Sequence, residues 1–319
     1  MATVSAILPN RNHAEELHIS LAGLVNQSRP FDEIIIVDDA STDHSLDVIG
    51  KFRLKFPQIR LLQNGTQLGV PDTVNKGLFA ASGDYVILAS ADEKIEPSMC
   101  SALMGCIEKY PQAQLVTSQF SEWEPTTSTT QTYGDDSPLG MWFVKDANPR
   151  FFSPANLSEL SKKRFVWLSI NTAMFKRAAL LEAGGLHPEL RWHSDWFAIY
   201  AVALRHGFCA LREPLASFYY SPESYSARGM RNNRAQLDVM TNIQAMLHRK
   251  ENADLLAMAK KTPAMFSPFM RHMIPALAVR PRYYDMLGPI LRWWVAEILH
   301  GKRALIPNRF LTSGKSPDR

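Results

Sequence analysis

Acidic residues recur in this chain where strands would end. Asp38-Asp39 follow the β-branched run Glu33–Val37, and Asp92-Glu93 follow the apolar run Tyr85–Ala89. Consecutive carboxylates repel each other, so such a pair calls for a donor-rich ligand or a cation. Helix capping is the competing explanation, and Ser41, Thr42 and Asp43 suit it well, with Ser41 or Thr42 as the cap. It leaves Asp38 and Asp39 unexplained; one of them accepting hydrogen bonds from a nucleoside base or ribose would account for the pair. Asp92-Glu93 divides evenly between two readings. It is capping geometry before a helix beginning near Pro97, or it is a carboxylate site for the hard cation that a departing diphosphate requires.

The elements that must position these acids are legible as alternating patterns. Val4–Leu8, Glu33–Val37, Ile59–Leu62 and Tyr85–Ala89 are short apolar runs; Ala14–Val25, Asp43–Phe56 and Val70–Ala81 carry helical spacing between them. Continuous Val/Ile/Leu runs joined by amphipathic helices predict a parallel sheet covered on both faces. Ligands of such sheets bind beyond the carboxyl ends of the strands. Pro9 and Asn12, Asp38 and Asp39, and Asp92 are therefore expected on one rim. No GxGxxG follows the first strand and no GxxxxGK[ST] occurs, so dinucleotide and P-loop readings lose their main support.

The second half is less regular. Glu122–Asp136, rich in Thr, Ser and Gln, is expected to be a loop. Apolar pattern returns at Phe165–Phe175 and Trp192–Leu204, the latter with helical spacing, and Leu215–Tyr220 suggests a late strand. Beyond about residue 230 the pattern is helical, punctuated by Pro263, Pro268, Pro275, Pro281 and Pro289. Ile290, Leu291, Trp294 and Ile298 share one face of the last segment, with Arg292 and Glu297 away from it. That stripe either packs on the preceding domain or rests on a membrane surface, helped by Trp293, Lys302 and Arg303.

Composition sets outer limits. With 319 residues, 46% hydrophobic and 21% charged, the chain can bury a substantial core. A net charge of +4 is too small to argue for nucleic acid. Cys100, Cys106 and Cys209 form no CxxC pair, so neither a disulfide framework nor a zinc site is expected, and a cytoplasmic location is. No apolar run is long enough to span a bilayer, and the opening residues lack the layout of a signal peptide. His13 and His18 flank Glu15-Glu16, but histidines five apart cannot share one helical face with a metal.

Taken in order, the motifs resemble the family-2 glycosyltransferases over about the first 230 residues. Val4 to Asn12 is similar to the family's opening strand and Pro-x-x-Asn turn, and Glu33 to Asp43 to its second motif. Asn64, Gly69 to Asn75-Lys76-Gly77, and Ala81-Ser82-Gly83-Asp84-Tyr85 follow its helix-to-strand pattern. The resemblance implies an α/β fold of GT-A type, with a mostly parallel central sheet flanked by helices. It implies a catalytic domain over 1–230 and a helical C-terminal extension over 231–319. The activity implied is inverting transfer of a sugar from a nucleotide-diphosphate donor to an acceptor hydroxyl, in cell-surface polysaccharide or glycoconjugate synthesis.

Residue by residue, the resemblance places Pro9, Asn12, Asp38, Asp39 and Asn75 at the donor, together with Ser90, Ala91 and Asp92. The last three stand at the family's DxD motif, where Ser90 replaces the first acid. Asp92 remains as the expected ligand of a divalent cation, Mg or Mn, and the replacement predicts weaker binding. A histidine that often helps hold the metal in relatives is missing from Tyr219-Tyr220-Ser221-Pro222. Asn171 to Phe175 and Gly184-Gly185-Leu186 are similar to the acceptor-side strand and glycine pair. Asp195 then aligns with the family's general base. Helix capping would also explain an acid there, but Trp192 and Trp196 offer faces for sugar rings. His193 is the competing base and, with the two tryptophans, an expected acceptor contact. Arg228 and Arg231 stand where relatives close a loop over the diphosphate, and bidentate phosphate binding suits them; a solvated basic turn suits them equally.

The expected partners are a nucleotide-diphosphate sugar, UDP-linked foremost, and a saccharide or lipid-linked acceptor, with no nucleic acid. Peripheral contact with the inner face of the cell membrane through the C-terminal helices is a further expectation. The reading from another class is a non-catalytic GT-A-like subunit that binds nucleotide sugars or acts as a scaffold. A sugar nucleotidyltransferase would need a Gly-rich basic loop after the first strand, which Pro9 to His13 does not supply.

Overall fold

The computed structural model describes residues 2–124, 127, 129–219 and 221–299. The first four strands, β1 (Val4–Asn10), β2 (Glu33–Asp38), β3 (Ile59–Gln63) and β4 (Tyr85–Leu88), are parallel neighbours in the order β3-β2-β1-β4. Helices α1 (Leu17–Val25), α2 (Ser45–Lys55) and α3 (Val70–Ala80) connect them. Side chains alternate between the two faces, as period-two strands must. Ile7, Ile35 and Val37 enter one apolar core, while Ala6, Leu8, Ile34 and Ile36 enter a second on the opposite face. Burial on both faces is why the middles of β1, β2 and β4 are nearly all apolar.

Beyond β4 the sheet turns mixed. The short β5 (Glu93–Ile95) and helix α4 (Met99–Lys109) precede β6 (Leu115–Glu124), β7 (Thr129–Thr132) and β8 (Arg150–Phe152). Helix α5 (Pro154–Lys163), β9 (Ala173–Lys176), α6 (Arg177–Glu182), α7 (Ser194–His206) and β10 (Phe208–Phe218) follow. The order becomes β3-β2-β1-β4-β9-β6-β10-β5, with β7 on β6 and β8 on β10. β9 runs antiparallel to both β4 and β6, whereas β10 is parallel to β6. The parallel character expected from the sequence thus holds for β1 to β4 and again for the β6–β10 pair.

Three expectations are corrected. Glu122–Asp136 contributes a strand end and the paired strand β7, not only a loop. Every residue of β7 is exposed, so its cross-strand ladder rather than burial forms it, and apolar periodicity carries no trace of that. Helix α2 begins at Ser45, not Asp43, and its N-cap His44 makes no side-chain cap bond. Ser41 and Thr42 bond elsewhere, while Asp43 accepts the Ser45 and Ala14 N–H groups at 3.0 and 2.9 Å. A short strand, β5, directly follows Asp92, and the helix after it starts at Met99, close to the expected start near Pro97.

The C-terminal part is helical: α8 (Tyr225–Arg231), α9 (Asn233–Leu247), α10 (Ala253–Lys261), α11 (Met270–Ala278) and α12 (Tyr284–Leu299). Pro263 and Pro281 open short 3₁₀ turns, as proline's fixed φ favours; Pro275 and Pro289 lie within helices. Residues of α9 to α12 share one core with β1, β2 and α7. Helix α12 turns Met286, Ile290, Trp293 and Glu297 inward, leaving Trp294 and Ile298 40% and 57% exposed. The expected stripe is therefore rotated, and Glu297 is buried rather than solvated. Both faces of α12 are apolar, so helical period alone could not choose between them. Lys302 and Arg303, expected beside that stripe, lie outside the described residues. No helix among the described residues is long and apolar enough to cross a membrane.

Candidate functional site

The carboxyl ends of β1 and β2 form a densely bonded rim. Asp38 accepts Asn10 Nδ2 at 2.9 Å, Ser41 N–H at 3.0 Å and Ser41 Oγ–H at 2.6 Å. Asp39 accepts Asn64 Nδ2 at 2.8 Å and the backbone N–H groups of Leu68 and Gly69 at 2.8 and 2.9 Å. Desolvation raises the Asp39 pKa, but the bonds from Leu68, Asn64 and Gly69 outweigh it and hold it below the ordinary value. The donor-rich environment that two adjacent acids require is thus supplied by the chain itself, which corrects the inference that a ligand or cation must supply it. Arg11 completes the rim by donating to the carbonyls of Asp39 and Ala40 at 2.6 and 3.0 Å.

Several expected donor contacts are already occupied. Asn12, in the left-handed region at φ 54°, accepts Thr42 N–H through Oδ1 at 2.8 Å and so ties the two loops together. Asn75 spends both ends of its amide on Leu186, donating to its carbonyl at 2.6 Å and accepting its N–H at 2.9 Å. A Cβ on Gly185 would stand 2.5 Å from Asn75 Oδ1, and Gly185 sits at φ +66°, so glycine is required there twice over. Asn75 therefore clamps the Gly184-Gly185-Leu186 turn instead of offering a free amide. Pro9 lies on β1 opposite Val37, past the end of the pairing with β4, where a missing N–H is tolerated.

Ser90, Ala91 and Asp92 form the turn between β4 and β5. Ser90 donates its N–H to Glu93 Oε2 at 3.2 Å, and its carbonyl accepts Ser20 Oγ–H at 2.5 Å. Ala91 is buried. Burial pushes the carboxyls of Asp92 and Glu93 above their ordinary values, and Glu93 the more strongly. Glu93 Oε1 is buried without a partner among the described residues, whereas Asp92 is only half-buried and accepts no hydrogen bond from any other of them. Among the described residues no group of three or more His, Cys, Asp and Glu side chains converges as a metal cage. The donor set fits a cation shared with diphosphate oxygens on one open carboxylate, the usual arrangement for Mg²⁺ at phosphates.

A cavity of about 270 Å³ opens at the entry to α7. It is bounded by Trp192, Asp195 and Trp196 of the α7 entry, by Phe120 and Phe218 of β6 and β10, and by Phe269. Phe218 pairs with Glu93 across the antiparallel β10–β5 ladder. Asp92 therefore sits one residue from the strand edge that walls the cavity, and two acids 103 positions apart in sequence (195 − 92) share one neighbourhood.

Asp195 lies in the first turn of α7, whose residues Phe197 to Leu204 are all buried. A helix apolar all round is an immobile support. Asp195 Oδ1 accepts Trp196 N–H at 2.6 Å, and among the described residues no other donates to the carboxylate. The helix dipole favours the charged form, yet burial wins and pushes the Asp195 pKa up to about 6. The preceding Arg191 holds φ 50°, ψ −123°, a strained conformation for a non-glycine residue, directly before Trp192.

His193 is buried and bonded through Nε2 to Gln236 Oε1 at 2.9 Å, and Trp192 Nε1 reaches the same oxygen at 2.7 Å. An indole N–H only donates, so the shared atom is the amide oxygen and His193 must carry its proton on Nε2. Burial lowers the His193 pKa to about 4, keeping the ring neutral. Nε2 is thus committed as a donor, and a basic role would fall to Nδ1 of a ring that burial makes a weak base. Gln236 itself is absent from any sequence expectation: a polar residue inside the buried face of α9 carries no motif. Gly229 of α8 packs on Trp192 so closely that a Cβ would stand 2.2 Å from its ring. Arg228 and Arg231 are exposed on the same short helix and do not line the cavity; Arg231 faces Glu223 at 3.5 Å.

Replacing Gln236 by leucine strands two buried N–H donors at about 1–3 kcal/mol each. The expected result is a lowered melting temperature, with glutamate at the same position, which keeps an oxygen acceptor, recovering most of it. An unchanged melting temperature would show that the shared oxygen holds neither ring.

The family model described as "Glycosyl transferase family 2" matches residues 5–176, more than half of the chain. The chain belongs to this family. A cholesterol galactosyltransferase of Borreliella burgdorferi is 34% identical over 117 residues, covering 37% of this chain and 32% of that one. The chain thus spans about a third of that curated relative. Among solved structures, Staphylococcus aureus TarS residues 1–349 with UDP-GlcNAc superposes with TM-score 0.64 at 16% identity, covering 94% and 92% of the two chains. A Pyrobaculum calidifontis mannosyltransferase with GDP-Man and Mn²⁺ gives TM-score 0.54 at 18% identity, covering 95% and 88%. At these identities the likeness establishes the GT-A fold of the family member described here.

Proposed function

We propose that the chain is an inverting glycosyltransferase that moves a sugar from a nucleotide-diphosphate donor, foremost a UDP-sugar, to an acceptor hydroxyl. Surface polysaccharide or glycoconjugate synthesis is the setting, in keeping with the sterol glycoside made by the Borreliella relative. One observation carries the reading: Asp195, an open carboxylate on a rigid helix, faces a substrate-sized cavity beside the turn that bears Asp92.

In this reading Asp195 takes the proton of the acceptor hydroxyl. The freed oxygen attacks the anomeric carbon as its bond to the diphosphate oxygen breaks, and the bonding pair leaves with the nucleoside diphosphate. Attack opposite the leaving group inverts the anomeric configuration. Asp92 would hold a divalent cation, Mg²⁺ or Mn²⁺, which supplies charge neutralisation to the departing diphosphate. Asp38, Asp39 and Asn12 shape the rim of the nucleoside pocket through their own bonds, and Pro9 fixes its floor. Trp192 and Trp196 present ring faces to the acceptor, while Arg228 and Arg231 remain candidates to meet the diphosphate on closure of α8.

The test is nucleotide release over a panel of UDP-, GDP- and dTDP-sugars with Mg²⁺ and Mn²⁺. Release from one nucleotide class, stimulated by cation, is expected. Metal-independent binding of nucleotide sugars without any release would favour the non-catalytic reading, to which Ser90 at the first DxD position lends its weight.

A further inference from the structure

The polar groups around the cavity are fewer than its lining suggests. Trp192 Nε1 and His193 Nε2 are both committed to Gln236. Ser224 Oγ accepts the N–H of Ala227 as the cap of α8, and Ser221 Oγ accepts that of Glu223. Ser169, Asn171, Tyr219 and the indole N–H groups of Trp167 and Trp196, unpartnered among the described residues, are polar groups left over, set in a wall dominated by Phe120, Leu168, Ile199, Phe218, Met230 and Phe269. Asp195 contributes the charged carboxylate of this lining.

A sugar ring carries hydroxyls around its whole edge, and each one buried without a partner costs free energy. An apolar body meets no such penalty and gains by burial. Size points the same way. A cavity of about 150 Å³ lined by aliphatic side chains admits benzene, so the roughly 270 Å³ here has room for a ring of that size beside the fragment bearing the reacting oxygen.

We propose that the acceptor is amphiphilic: its reacting hydroxyl meets Asp195 while an attached apolar group, aryl or short alkyl, fills the aromatic cavity. This rests on the sugar-transfer reading for the role of Asp195, but the cavity's preference can be measured without turnover. Trp167, Trp192 and Trp196 stand in the wall, so their emission reports occupancy directly.

The experiment titrates the full chain with methyl, phenyl and hexyl glycosides of glucose, galactose, mannose and N-acetylglucosamine, reading tryptophan emission. Transfer is then assayed with whichever donor releases nucleotide. Phenyl or hexyl glycosides of at least one sugar are expected to bind at least ten-fold more tightly than the methyl glycoside, with KM following the same order. Phe269→Asn should collapse that ratio toward one. Met230→Gln, at a half-buried position, serves the same purpose should the first variant fail to fold. Equal affinity for methyl and phenyl glycosides across the panel overturns the proposal. Absence of nucleotide release from every donor would instead overturn the glycosyltransferase reading, with the binding ratio still deciding what the cavity takes. An apolar glycoside that competes with the donor and is never glycosylated would assign the cavity to the donor, and would overturn the proposal as well.

Discussion

Asp195→Asn is expected to cut sugar transfer by about 10²- to 10⁴-fold, the range that general-base assistance contributes. Nucleoside-diphosphate binding should hardly change, because Asp195 stands on the cavity side of the site, with Asp92 on the neighbouring turn. Loss of both together would remove Asp195 from the proton-transfer role. The wild-type profile of kcat/KM should fall on the acid side near pH 6, since burial pushes the carboxyl to about that value and only the ionised form accepts a proton. For stability the sign is opposite to that of a paired acid. A raised carboxylate pKa means that the charged form is penalised in the fold above pH 6, a cost that fades as protonation sets in. The asparagine variant should therefore melt no lower than wild type at pH 7, which separates loss of a base from loss of structure. A lower melting temperature together with lost donor binding would count against the assignment.

Asp92→Asn carries the second large effect. Cation neutralisation of a leaving diphosphate supplies several kcal/mol, on the order of 10²-fold or more in rate. Asp92 accepts no bond from another described residue, so its carboxylate holds nothing among them that the amide would leave stranded. Transfer should drop on that scale and lose its response to Mn²⁺, and nucleoside-diphosphate titrations with and without the ion should coincide. A variant whose binding still tightens with Mn²⁺ would place the cation elsewhere. By contrast, Asp39→Asn is expected to act through stability, because it weakens three bonds from Asn64, Leu68 and Gly69 that hold the loop after β3. The two aspartates look alike in sequence and differ in what their partners are.

The first half of the molecule was legible because its runs are short, apolar and regularly spaced. Burial on both sheet faces leaves the middles of β1, β2 and β4 almost wholly apolar, and that is visible without coordinates. Where burial was not the organising force, the sequence was silent. β7 forms on ladder bonds alone, and α12 is apolar on two sides, so its inward face was misassigned. Capping at Ser41 or Thr42 failed for a related reason. A hydroxyl that suits a cap also suits a neighbouring carboxylate: Asp38 takes Ser41 Oγ–H, while Asn12 Oδ1 holds Thr42 by its backbone N–H.

The sequence by itself determined the family, the parallel half-sheet and the carboxylates Asp92 and Asp195 as the residues worth testing. Those follow from local order and spacing, which a chain carries in one dimension. Tertiary structure alone decided which acids stay open. Asp38 is bonded by Asn10 and Ser41 and Asp39 by Asn64, Leu68 and Gly69, Asn75 is spent on Leu186, and His193 is fixed as a neutral Nε2 donor by Gln236 from a helix 43 residues away. Satisfaction of a buried polar group depends on what lies across from it in space, and spacing along the chain does not encode that.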